Sequence, residues 1–250
     1  PGYAHQAISS DRDQQTEFRM TKPYLLTFET YDDWDMVPMQ AAYNLVAMPA
    51  SGNVADLPAA QVENVTAAAF RGHSSLSADI IDAFPNLKMI ANYGVGYDTI
   101  DVAHATTRGI RVSNTPEVLT EDVADLAVGM VIAQMRDMLG ASNWIRDGNW
   151  ANNGSYALQR KVSGKTVGIV GLGRIGRAIA ERLTPFKCDL HYYSRTEKDT
   201  PGWTHHDDIV ALAGLVDILV VCVSGGKDTL GIIGKDAIEG QERSVGHLGG

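Results

Sequence analysis

Lys165-Thr166-Val167-Gly168-Ile169-Val170-Gly171-Leu172-Gly173-Arg174-Ile175-Gly176-Arg177-Ala178-Ile179-Ala180 is the stretch whose reading decides the fold. An apolar, β-branched run (Val167, Ile169, Val170) enters a turn with glycines in G-x-G-x-x-G spacing. Arg174 to Leu183 leaves it with apolar residues at helical spacing, Ile175, Ile179 and Leu183. Strand, tight turn and helix is the predicted order. In such a turn Gly171 permits the sharp bend, Gly173 lets backbone approach a pyrophosphate, and Gly176 lets the helix pack against the strand. The free N–H groups and positive dipole end of the helix, at Arg174 and Ile175, then face the phosphates. Glycine clusters also mark plain turns, but the strand before, the helix after and a second strand at Leu190 to Tyr193 supply the context of a dinucleotide site.

Cofactor choice is written at the end of that second strand. An acidic residue about twenty positions beyond the glycines would hydrogen-bond the adenosine ribose diol and select NAD. This chain has Tyr193-Ser194-Arg195-Thr196 there. A carboxylate would repel a 2′-phosphate, whereas Arg195 can grip one bidentately, with the Ser194 and Thr196 hydroxyls as further donors. NADP is therefore the preferred cofactor. NAD stays open, because Glu197 and Asp199 follow within a few residues.

Upstream, short apolar strands alternate with helical segments. Tyr24–Phe28, Leu45–Met48, Val65–Phe70, Leu87–Tyr93 and Ile110–Ser113 read as strands. Ala78–Phe84 and Asp101–Arg108 read as helices, the latter stopped by Gly109, and Tyr31 to Asp35 reads as a solvated helix start. This rhythm implies a parallel sheet with helices on its faces, so a first α/β domain over 20–115 precedes a dinucleotide domain over 116–250. Thr120-Glu121-Asp122-Val123 opens one long helix over 120–146. Being apolar over much of its circumference, it is expected to lie between the domains and to pack against a second subunit in a homodimer. Ala151–Val162 reads as a polar loop, Asp207–Ala213 as a helix that His205-His206 introduces, Asp217–Val223 as a strand, and Ile233–Ile238 as a helix.

Composition sets outer limits. The 250 residues, 44% of them apolar, suffice for two packed cores. A net charge of -9 without a basic stripe argues against a nucleic-acid partner. The apolar runs are too short to span a bilayer, and the two cysteines, Cys188 and Cys222, read as buried hydrophobes in a reducing, cytoplasmic compartment, neither disulfide nor metal site. Residues 1–19 are polar and aperiodic and are expected to form a disordered leader.

Three ordered motifs then carry a resemblance. They are Asn92-Tyr93-Gly94-Val95-Gly96-Tyr97-Asp98-Thr99-Ile100-Asp101, the stretch Asn114-Thr115-Pro116-Glu117-Val118-Leu119-Thr120-Glu121-Asp122-Val123-Ala124-Asp125-Leu126-Ala127, and Val167 to Gly176. Together they resemble the D-isomer-specific 2-hydroxyacid dehydrogenases, above all the glyoxylate/hydroxypyruvate reductases. The resemblance implies a flavodoxin-like substrate domain beside a Rossmann dinucleotide-binding domain that is incomplete here. It implies hydride transfer between nicotinamide C4 and C2 of a small 2-oxo acid, giving the D-2-hydroxy acid. It places Gly94, Val95 and Gly96 at the substrate carboxylate, where backbone N–H groups donate. It places Leu119 and Thr120 near the nicotinamide, with Val223 and Ser224 on the adenosine side.

The same family uses an arginine, and a histidine paired with a glutamate, in motifs that would follow Glu239. The chain reads Gly240-Gln241-Glu242-Arg243-Ser244-Val245-Gly246-His247 instead. No catalytic residue is identifiable. Arg243 and His247 are poor stand-ins, lacking a strand to present them, and the tail is expected to be unpatterned, as from truncation or a frameshift. His73 and His104 are expected on the surface. The alternative function is a dinucleotide-binding chain without chemistry, an inactive fragment or sensor. A parallel sheet halted halfway would also leave an edge uncovered, so low solubility is expected unless a partner covers it.

Overall fold

The computed structural model describes residues 22–72 and 74–246, the last five by backbone alone. The expected leader at 1–19, His73, His247 and the Arg243 side chain lie outside the described residues. Two parallel sheets organise the chain. The first unit runs β1 (Tyr24–Thr27), α1 (Asp33–Ala42), β2 (Asn44–Ala47), α2 (Ala59–Asn64), β3 (Val65–Phe70), α3 (Ala78–Asp82), β4 (Met89–Asn92), α4 (Val102–Thr107) and β5 (Arg111–Ser113). Its strands stand in the order β2-β1-β3-β4-β5, the flavodoxin-like arrangement. Leu26 pairs with Val46 on one side and Ala68 on the other, and Ile90 pairs with Ala68 and Val112. Both faces are covered by helices, which is why these strands read as apolar runs rather than alternating ones. Phe70, Ile81, Phe84 and Ile90 are fully buried between the layers, and truncating Phe70 to alanine costs about 3–5 kcal/mol.

Three helices follow: α5 (Thr120–Met135), α6 (Met138–Arg146) and α7 (Asn149–Asn153). The single helix expected over 120–146 is therefore two. The chain breaks at Asp137, whose φ of 42° is left-handed. Its carboxylate takes the Gly140 N–H at 3.2 Å and the Tyr156 hydroxyl, so a short polar side chain stabilises locally what the backbone would otherwise resist. The loop expected from Ala151 likewise begins inside α7. Ala124, Val128, Val131 and Met135 of α5 enter the core of the second unit, against α8 (Arg174–Leu183), which follows β6 (Thr166–Val170). Arg182 of α8 binds Glu121 and Asp125 of α5 and fixes that packing.

The second sheet continues with β7 (Asp189–Tyr193), β8 (Thr204–His206), α9 (Ile209–Leu215), β9 (Ile218–Val221) and α10 (Lys235–Gly246). Strand order β8-β7-β6-β9 is that of the first four strands of a six-stranded Rossmann sheet. Two expectations are corrected. Residues 204–206 form a strand rather than a helix entrance, because His205 and His206 pair with Tyr192 and Tyr193. The tail is not unpatterned: α10 extends through Gly246, Ala237 is buried, and the Gln241 amide donates to the Val216 and Asp217 carbonyls at 3.1 Å. Among the described residues no helix is long and apolar enough to cross a membrane.

Candidate functional site

The C-terminal ends of β6, β7 and β9 open onto one cleft of about 790 Å³. It sits where chain connections leave to opposite sides of β6, the switch point at which open α/β sheets take ligands. Gly171, Gly173, Ser194, Arg195, Thr196, Val223 and Ser224 all line it.

The three glycines of the turn differ in what holds them. Gly171 has φ 101°, and a Cβ there would stand 2.6 Å from the Cys222 carbonyl oxygen. A Cβ on Gly176 would collide with the Gly171 carbonyl. Fold geometry demands glycine at both positions. Gly173 has neither constraint: its φ is -81° and a Cβ would meet nothing within 4 Å. It caps the N-terminus of α8, beside open space and the helix's unused N–H groups. Ile175 turns its side chain toward the core, and Arg174 pairs with Glu117 at 3.0 Å; neither is part of the cleft wall.

After β7 the loop carries its charges unequally. Arg195 makes no hydrogen bond or ion pair among the described residues, and Lys198 reaches only the Thr196 hydroxyl, at 3.1 Å. Both line the cleft, while Glu197 and Asp199 of the same loop stay out of its wall. The Ser194 hydroxyl donates to the Thr196 carbonyl at 2.6 Å. Lys198 was missed in the sequence, although its charge lay three residues past Arg195. Tyr97 of the first unit and Lys227 also line the cleft and were not foreseen. Cys222 lines it too, its thiol pushed up by burial.

Gly94, Val95 and Gly96 lie one step away from the cleft wall, preceding Tyr97. Asn92 donates to the carbonyls of Gly94 at 3.1 Å and Gly96 at 2.7 Å, and Asn114 donates to that of Val95 at 2.9 Å. Thr115 N–H adds a second bond to Gly94 at 3.0 Å. All three carbonyls are thus held, while the three N–H groups have no acceptor among the described residues. A Cβ on Gly94 would make only ordinary contacts, and neither glycine has positive φ. The fold therefore does not itself require glycine at 94. Leu119 and Thr120 stand at the start of α5, outside the cleft wall; the Arg174–Glu117 pair draws their turn toward α8.

Among the described residues, the histidines serve structure. His104 binds Asp82 at 2.8 Å, which with Arg108 holds that carboxyl below its ordinary range. His191 meets His206 at 2.8 Å and Asp189 at 3.1 Å across β7 and β8. Burial, then the neighbouring His191 and His205, lower the His206 pKa. No group of metal-ligating side chains occurs among the described residues.

Residues 36–241 match the family profile of the D-isomer specific 2-hydroxyacid dehydrogenase, catalytic domain. The chain is 40% identical over 184 residues to a hydroxyphenylpyruvate reductase of Plectranthus scutellarioides, covering 74% of this chain and 58% of the relative. It is 43% identical over 170 residues to a glyoxylate/hydroxypyruvate reductase of Arabidopsis thaliana, covering 67% and 54%. It thus spans a little over half the length of these curated relatives. Among solved structures, a 2-hydroxyacid dehydrogenase from Ketogulonicigenium vulgare Y25 superposes with TM-score 0.80 at 43% identity, over 88% of this chain and 70% of that one. An NADPH-dependent glyoxylate/hydroxypyruvate reductase from Sinorhizobium meliloti, solved with NADP and malonate, superposes with TM-score 0.78 at 36% identity, over 88% and 68%.

Proposed function

The chain belongs to the D-isomer specific 2-hydroxyacid dehydrogenase family, and from that premise we propose that it binds NADP(H) at the ends of β6, β7 and β9 and reduces a small 2-oxo acid, glyoxylate or hydroxypyruvate, to the D-2-hydroxy acid. The observation that carries the cofactor reading is the loop after β7, which turns Arg195 and Lys198 to the cleft and keeps Glu197 and Asp199 out of its wall. The residues fit the cofactor. The N-terminus of α8 offers N–H groups to the pyrophosphate beside the open space at Gly173, Arg195 takes the 2′-phosphate, and Val223 and Ser224 flank the adenosine. Bound there, the dihydronicotinamide supplies a hydride.

The substrate's carboxylate is assigned to Gly94, Val95 and Gly96. Asn92 and Asn114 hold that loop by its carbonyls, so its N–H groups stay available without side-chain rearrangement. Leu119 and Thr120 are assigned to the nicotinamide end. NADPH consumption by the purified chain on adding glyoxylate tests this. A second reading, dinucleotide binding without turnover, is favoured by the cleft wall, where no histidine stands among the described residues to deliver a proton to the developing alkoxide. NADPH bound and consumed supports the reductase; NADPH bound but not consumed supports the second reading; no binding overturns both.

We further propose a homodimer formed through α5 and α6. Their residues Leu126 (65%), Met130 (64%) and Leu139 (79%) are exposed large apolar side chains of the kind that protein–protein contacts cover. The two free cysteines accord with a reducing, cytoplasmic setting.

A further inference from the structure

The loop from Ser194 to Asp199 is short, exposed and carries both signs of charge, yet it presents only its cations to the cleft. Its backbone shows how. Tyr192, 1% exposed, places its hydroxyl under the loop, where it accepts the Lys198 N–H at 2.9 Å and donates to the Lys198 carbonyl at 3.2 Å. One phenol thus satisfies both backbone groups of one residue and closes the chain on itself. At the entrance, His205 Nε2 donates to the Ser194 carbonyl at 3.0 Å, with its ring 5.2 Å from that of Tyr192. At the exit, Arg177 of α8 donates to the Asp199 carbonyl at 2.5 Å. Every one of these ties goes to backbone, so the loop's course is set while its cationic side chains remain available for a ligand.

We infer that Lys198 is a second cation for the 2′-phosphate beside Arg195, and that Tyr192 is a positioning residue whose clasp on Lys198 turns the loop's cations toward the cofactor. This rests on the NADP reading of the cleft and extends it from one recognition residue to a fastened pair. A phosphomonoester dianion carries about two charges at neutral pH. A guanidinium and an ammonium held on one loop match it, and the conformational freedom lost on binding is small because the backbone is already fixed. NAD lacks that group and gains nothing from either cation. The clasp therefore acts on discrimination between the two cofactors more than on dinucleotide affinity as such.

The test is equilibrium titration of the whole chain with NADPH and NADH, repeated with 2′,5′-ADP and 5′-AMP as fragment probes. Lys198→Met is expected to weaken NADPH and 2′,5′-ADP about tenfold while NADH and 5′-AMP stay within about twofold, and Lys198→Arg to restore most of the loss. Tyr192→Phe, with thermal unfolding recorded alongside, is expected to lower the NADPH-to-NADH affinity ratio in the folded protein. A Lys198→Met variant that keeps the wild-type ratio, or loses both cofactors equally, overturns the inference while leaving the NADP reading intact. A wild-type chain that binds both cofactors equally overturns that reading and the inference together. The lysine pair of variants decides the matter should Tyr192→Phe not fold.

Discussion

Gly176 lies so close to Gly171 that a Cβ on the first would collide with the carbonyl oxygen of the second. The helix N-terminus is thereby pressed onto the turn that precedes it, and the turn onto β9 through Cys222. A Cβ on Gly173, between them in the turn, would meet nothing within 4 Å. The same substitution should therefore have opposite consequences. Gly176→Ala is expected to destabilise the fold by roughly 1–3 kcal/mol through overpacking, read as a lower denaturant midpoint. Gly173→Ala should leave that midpoint near wild type and weaken the dinucleotide at least tenfold. Equal loss of stability in both variants would remove the distinction between a structural and a ligand-facing glycine.

Asn92 is buried and holds two carbonyls of the Gly94–Gly96 loop. Asn92→Ala orphans the Gly96 carbonyl and leaves that of Gly94 with the Thr115 N–H alone, at a cost of roughly 1–3 kcal/mol, and loosens the loop. Binding of glyoxylate to the NADPH complex, followed by calorimetry, is expected to be lost in this variant while NADPH binding persists. Retained glyoxylate affinity would detach the loop from the substrate.

The strand–turn–helix at the centre of the second sheet was legible because its glycines act locally, on their own turn. The parallel strands of the first unit were legible for a similar reason, as buried apolar runs between helices. What escaped depends on distant partners. Thr204-His205-His206 carries no apolar alternation and is a strand only because β7 lies beside it. Asp137 breaks a helix because Gly140 and Tyr156 reward its left-handed backbone. Lys198 lines the cleft on a loop whose backbone is tied to the buried Tyr192 hydroxyl, a relationship that residue spacing does not display.

Acidification should loosen the β7–β8 edge. Burial first, then His191 and His205, hold the His206 pKa below its ordinary 6.5 against a smaller opposing pull from Asp207. The unfolded chain accepts that proton near 6.5, the folded chain only at lower pH, so unfolding takes up protons in between. This contribution to stability is present above pH 6.5 and is lost as pH falls from there through the folded value. The thermal midpoint is expected to drop with acidification in that window, and His206→Gln to flatten the drop. An unchanged slope in the variant would assign the effect elsewhere.

Leu126→Glu on α5 and Leu139→Glu on α6 place charge on the exposed apolar face. Sedimentation of the wild-type chain is expected to show a dimer and that of the double variant a monomer of unchanged secondary structure. A monomeric wild-type chain would show that this face has another use.

The central claim is that this cleft is built for a dinucleotide bearing a 2′-phosphate. Calorimetric titration of the purified chain with NADPH and with NADH tests it most directly, paired with Arg195→Asp. Tighter binding of NADPH by at least tenfold, reversed to a preference for NADH in the variant, is the predicted result. Equal affinities in the wild-type chain, or an NADPH affinity that Arg195→Asp leaves untouched, would contradict it.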